Sequence, residues 1–148
     1  MDAREFYESI RDEVSSIEKT REMLERLKAR EGAKAQSYNA TTGGGNADPM
    51  DAINSRIDLE GRLRQRIADS ADTIDEACTV LYGRDNNGGL AKLKGNRYAD
   101  AVCMAYCQAM PWADVADVMR CSPKWCRELC NTAFRCIDAV GMAWLKEN

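Results

Sequence analysis

Between Asp2 and Ala35 the chain has no proline and no glycine before Gly32, while apolar residues fall at Phe6, Ile10, Val14, Ile17, Leu24 and Leu27. Spacings of three, four and seven mark one face of a helix, so residues 2–35 are expected to form a single long helix. The remaining positions are largely Glu, Arg and Lys, with a favourable i,i+4 pair at Glu22–Arg26 and an unfavourable one at Glu18–Glu22. A helix this long with so narrow an apolar stripe must pack against one or two partner helices. A second stretch, residues 50–82, carries Met50, Ile53, Ile57, Leu63, Ile67, Ala71, Ile74, Cys78 and Leu81. That pattern is close to a heptad seam with Gly61 as its weak point. Asp48 is suited to cap this helix and Pro49 to its first turn. The polar, glycine-rich run from Tyr38 to Pro49 is a loop long enough to reverse direction. The simplest product is an antiparallel helical hairpin of roughly 45 Å at 1.5 Å rise per residue. One such hairpin buries little apolar area. A second copy of the chain is therefore expected along the seam of Ile10, Val14, Ile17, Leu24, Ile53, Ile57, Ile67 and Ile74, giving a homodimer.

No segment alternates apolar and polar residues with a period of two, so the fold class is all-α. A length of 148 residues suits one ordinary domain or two small ones. The chain changes character along its length. Residues 1–83 hold 12 basic and 17 acidic side chains, for −5, whereas residues 84–148 hold 9 and 7, for +2. Six of the seven cysteines and all three tryptophans lie in the second part. The expected organisation is an oligomerising hairpin over 1–83, a linker over 84–95 and a second helical module over 96–148.

Composition also bounds the chemistry. Histidine is absent, which removes Ser-His and Cys-His dyads, imidazole metal sites and His proton shuttles. No carboxylate pair stands in a recognisable cleft, so an enzyme is not expected. The Asp85–Gly89 segment loosely matches a calcium loop, but its twelfth position is Asn96 where a Glu is required. The Thr42–Gly45 segment lacks the Gly-Lys-Ser/Thr of a phosphate loop. Neither a run of about 18 apolar residues nor a basic segment followed by an apolar one is present, so no membrane span or secretory signal is expected and the location is taken as cytoplasmic. The cysteines sit inside helical patterns, not in paired C-x2–4-C knuckles, and are expected to be small core hydrophobes in a reducing compartment, with no metal and no cofactor.

In the second module, a helix is expected from Arg97 to Gln108, ended by Met110 and Pro111. A short one follows from Pro111 or Trp112 to Met119, then a tight turn at Arg120-Cys121. Ser122 sits as an N-cap with Pro123 at the first helical position, starting a helix that runs to about Val140, with extension through Gly141 to Leu145 as the alternative. A helix of about eight residues, a short turn and a longer capped helix make a helix-turn-helix pattern. On the last helix, Cys126, Leu129 or Cys130, Ala133, Phe134 and Ile137 form the core face. Lys124, Arg127, Glu128, Asn131 and Arg135 form the opposite face. If that face enters a major groove, Arg127 suits guanine O6/N7, Asn131 suits adenine N6/N7, and Glu128 suits cytosine N4. Lys124 and Arg135 suit phosphates, as do the backbone N–H groups at Ser122. Trp125 either touches a thymine methyl or sugar, or packs on Trp112 or a partner. Lys92, Lys94 and Arg97 are candidate additional phosphate contacts. The alternative for all of these is a solvated charged face.

The segment from Tyr106-Cys107-Gln108 through Pro111-Trp112-Ala113-Asp114-Val115-Ala116 to Met119-Arg120-Cys121-Ser122 resembles the helix-turn-helix of sigma-70 region-four-like domains. The run from Trp125-Cys126-Arg127 through Ala133-Phe134 to Ile137 is similar to their recognition helix. A helical hairpin followed by this module resembles the RinA- and ArpU-like late-gene transcription regulators of phages and prophages. The resemblance implies a promoter-binding regulator in the bacterial host cytoplasm, with double-stranded DNA as partner and RNA polymerase as a second one. Two other readings fit the same pattern: a small terminase-like DNA-packaging subunit that forms a ring, and a helical protein–protein interaction module that binds no DNA.

Overall fold

A computed structural model describes residues 1–37 and 49–148. The first glycine-rich loop and the expected cap Asp48 lie outside the described residues. The fold is all-α, and no strand occurs among the described residues. In chain order the helices are α1 (Ala3–Ser37), α2 (Pro49–Tyr82), α3 (Gly89–Leu93), α4 (Asn96–Val102), a π-helical turn (Cys103–Cys107), α5 (Trp112–Met119), α6 (Pro123–Val140) and α7 (Met142–Glu147). None is long and apolar enough to cross a membrane.

The chain divides into two compact units whose boundaries differ from the expected 83 and 95. One unit is Met1–Ser15 with Ser70–Asn148, and the other is Ser16–Asp69. The apolar stripe of α1 does not serve one purpose along its length, which is why a division by composition misplaced the boundary.

In the unit of residues 16–69, α1 and α2 run antiparallel. Ile17, Leu24 and Leu63 are buried together, with Leu59 packed against them. Charged side chains flank this thin core. Arg56 Nε donates to Glu31 at 2.8 Å and its Nη1 to Glu60 at 2.9 Å, and Lys28 Nζ lies 3.1 Å from Glu60.

The unit of residues 1–15 and 70–148 has the larger core. It is built from Ala3, Phe6, Tyr7 and Ile10 of α1, Ala77, Val80 and Leu81 of α2, Leu90 of α3, and the buried faces of α4 to α7. Asp2 caps α1, its Oδ1 accepting from the Glu5 N–H at 2.8 Å. Tyr7 is fully buried and its hydroxyl donates to the Ala77 carbonyl at 2.7 Å. Its ring stacks on Phe134 at 5.7 Å, with Phe6 and Tyr106 edge-on. Tyr82 donates to Asp100 at 2.7 Å, which ties the end of α2 to α4.

Three expectations change here. First, the seam does not stand open for a second copy. Ile10 is in the larger core with Val14 and Ile74 packed against it, and Ile17 and Leu24 are in the smaller one. Ile57 and Ile67 are exposed and Ile53 is half-buried. Intramolecular packing satisfies most of the stripe. Second, residues 84–95 are not a linker. Gly89 has φ +64°, and a Cβ there would lie 2.6 Å from the Val80 carbonyl oxygen. This close backbone approach turns the chain directly into α3, where Leu90 is fully buried. Third, the helix expected to reach Gln108 ends as a π-helical turn, with Gln108 N–H donating to the Cys103 carbonyl at 2.9 Å. The helix from Pro123 ends at Val140 as expected, and Gly141, at φ +99°, separates it from α7.

Two outcomes follow for the smaller unit. Hydrogen bonds from Lys28, then Arg56, hold the Glu60 carboxyl below its ordinary pKa. The stability this contributes is full above the unfolded value of about 4.3 and is lost as pH falls through the folded one. Circular dichroism melts should therefore show a midpoint that drops on acidification through this range, and Glu60→Gln should flatten the drop. A Cβ at Gly61 meets nothing within 4 Å. Gly61→Ala should thus stabilise by about 0.5–1 kcal/mol in denaturant titration.

Candidate nucleic-acid interface

The turn between α5 and α6 follows from local chemistry. Arg120 takes a left-handed conformation, φ 57°, and its N–H donates to the Ala116 carbonyl, closing α5. The Cys121 N–H donates to the same oxygen at 3.2 Å. Ser122 then caps α6: its hydroxyl oxygen accepts from the Trp125 N–H at 3.1 Å, with Pro123 at the first helical position. Val115 and Ala116 of α5 are buried, as are Cys126, Leu129, Cys130, Ala133, Phe134 and Ile137 of α6. The expected core face of α6 is the observed one, with both Leu129 and Cys130 inward.

Ser122, Lys124, Trp125, Arg127, Glu128 and Arg135 are exposed, Trp125 at 51%. Asn131 is not open as expected. It is half-buried, and its Oδ1 accepts from Arg4 Nη2 at 2.5 Å. The cause is α1, whose first turns run antiparallel along one side of α6. The Ala3 N–H donates to Asp138 Oδ1 at 2.8 Å, and the Arg4 guanidinium lies 5.5 Å from the Phe134 ring centre. Further along, Arg11 donates to the Ala105 carbonyl at 2.6 Å and sits 5.5 Å from the Trp112 ring centre. Arg127 lies 5.3 Å from the same ring. Such contacts are favourable cation–π pairs. They draw Arg127 onto Trp112 at the start of α5. The open side of α6 is thereby rotated toward Lys124, Glu128 and Arg135, with Trp125 beside it.

The expected phosphate contacts do not form one group. Lys92 lines a shallow cleft of about 280 Å³ with Gly89, Leu93, Trp144 and Asn148, against α7. The Lys94 ammonium sits 5.4 Å from the Tyr98 ring centre. Arg97, exposed at the start of α4, is near enough to Cys126 for its charge to favour the thiolate there. Sequence reasoning missed Arg4 and Arg11. Nothing local marks them among the many charges of α1, because their role depends on a contact made more than a hundred residues away. Among the described residues, Arg4, Arg11 and Arg127 make no ion pair with a carboxylate.

The cysteines serve the core in part: Cys107, Cys126 and Cys130 are buried and the other four half-buried. Cys78, Cys103 and Cys107 interact where α2 meets the π-helical turn. Hydrogen bonds from Cys107, then Cys78, pull the Cys103 pKa down, and the same contacts push that of Cys107 up. Burial holds the Cys130 thiol up at about 12. Among the described residues, no group of three or more Cys, Asp or Glu is arranged to hold a metal ion.

No protein-family profile matches the chain, and neither a curated protein nor a solved structure is detectably similar to it.

The cap at Ser122 can be checked directly. Ser122→Ala should cost about 1 kcal/mol in denaturant titration, while Ser122→Asp, which keeps an acceptor, should restore most of it.

Proposed function

We propose that the chain is a DNA-binding transcription regulator that docks the open side of α6 on duplex DNA. The observation that carries this reading is the α5–turn–α6 unit: an eight-residue helix, a left-handed turn at Arg120, and a Ser122-capped helix that leaves Lys124, Trp125, Glu128 and Arg135 exposed. Lys124 and Arg135 contact phosphates, Glu128 and Trp125 face the base edges, and Arg127 reaches the groove rim from beside Trp112. Arg4 adds a phosphate contact from α1. The protein acts as a homodimer on promoter DNA, with RNA polymerase as a second partner, in a bacterial host cell carrying the phage or prophage. It is not an enzyme.

A second reading is favoured by one observation. The first turns of α1 occupy the Asn131 side of α6, and Val118 of α5 and Trp125 of α6 are exposed at 61% and 51%. A protein-docking module would use such a surface without DNA. A ring-forming packaging subunit, the third possibility, separates from a dimer by mass in solution.

Fluorescence anisotropy with labelled duplex across a salt series distinguishes these. For a regulator, duplex binding weakens steeply with salt, and Lys124→Ala and Arg135→Ala each lower the salt slope by about one. Absence of duplex binding at low salt rules out the DNA reading and leaves the docking module.

A further inference from the structure

The geometry assigns a thiol–disulfide site to Cys121 and Cys126, independent of whether α6 reads DNA. Their sulfurs lie 3.2 Å apart. The two residues belong to different local structures. Cys121 follows the left-handed Arg120 in the turn, and Cys126 sits one turn into α6. The capped start of α6 folds the chain back so that the side chains meet across Ser122, Pro123, Lys124 and Trp125. A disulfide has its sulfurs about 2.05 Å apart. To bond, the two sulfurs must therefore approach each other by about 1 Å.

The two thiols are also unequal in access, which sets the order of steps. Cys121 is half-buried and Cys126 fully buried. Burial, then the hydrogen bond from Cys121, pushes the Cys126 thiol up to about 11. Cys126 thus stays protonated and shielded until its neighbour has reacted. The oxidant is a small disulfide such as oxidised glutathione. The Cys121 thiolate, its proton lost to water, attacks one sulfur of that disulfide and expels one glutathione thiolate, which takes up a proton. Cys126 then loses its proton and attacks Cys121 Sγ, breaking the mixed disulfide and releasing the second glutathione thiolate, which is likewise protonated. Two protein thiols are oxidised to one disulfide and one oxidised glutathione is reduced to two thiols. The ring so formed encloses the Ser122 cap, so that the start of α6 is held covalently as well as by its hydrogen bond.

Trypsin makes the test specific. Cleavage after Arg120, Lys124 and Arg127 places the two cysteines on separate short peptides, residues 121–124 and 125–127. The full-length protein is incubated natively with oxidised glutathione, its remaining thiols are alkylated, and the digest is analysed by mass spectrometry. The expected result is loss of both free thiols and recovery of the two peptides joined, as the major cysteine-to-cysteine link, with no covalent dimer on a non-reducing gel. Cys121→Ser, at the half-buried position, abolishes the link, whereas Cys130→Ala, elsewhere on α6, leaves it. The inference is overturned if peptide 121–124 is recovered carrying only glutathione, joined to a peptide other than 125–127, or unmodified while other cysteines link.

Discussion

The fold of the larger unit depends on one side chain near the start of the sequence. Tyr7 has no exposed surface, donates its hydroxyl to the Ala77 carbonyl and stacks on Phe134. It therefore joins α1, α2 and α6 at one point, with Tyr106 of the π-helical turn edge-on to its ring. Burial disfavours the tyrosinate strongly, so the hydroxyl stays a donor at every pH the fold would meet. The same contact decides what α6 offers to solvent. By seating α1 against Phe134, it brings Arg4 to Asn131 and Arg11 to Trp112. A segment that reads as an assembly helix is thereby also the flank of the helix-turn-helix.

The helices were legible because their signals are local. The narrow stripe from Phe6 to Leu27, the Ser122-Pro123 start and the spacing of Cys126, Ala133 and Ile137 act within one or two turns. Elements whose cause lies elsewhere in the chain were not legible. A five-residue helix such as α3 has no period to detect, and its position follows from Gly89 packing against the Val80 carbonyl. The π-helical turn carries no residue pattern that separates it from α-helix. At the candidate site, exposure of Lys124, Trp125, Arg127, Glu128 and Arg135 followed from helical geometry, whereas the tie between Asn131 and Arg4 spans 127 positions of sequence. The seam failed for a related reason. Apolar spacing says that a face is covered but not by what, and Ile10 is buried, with Val14 and Ile74 half-buried, by the chain itself.

The smaller unit is organised by a different balance. Its buried apolar residues are few, and the paired helices are flanked by Arg56 between Glu31 and Glu60, with Lys28 alongside. Half-buried ion pairs at the rim of so thin a core contribute little apiece. Shared carboxylates and guanidinium forks instead fix the register of one helix against the other. Met23, Met50, Ile57 and Ile67 remain exposed there. Of the seam expected to meet a second copy, Ile57 and Ile67 are what is left exposed after the chain has packed on itself.

That Tyr7 stacks on Phe134 also constrains how the protein is made. The first fifteen residues emerge from the ribosome long before the α6 and α7 residues that complete their core. Through that interval Phe6, Tyr7 and Ile10 lack their native partners and lie on an amphipathic helix open to other surfaces. Closure of the larger unit waits on a contact of high sequence separation, the slow kind in folding. The second module cannot be separated from the first residues at the sequence boundary its composition suggests, since residues 96–148 alone would leave α6 with the stacked face of Phe134 uncovered.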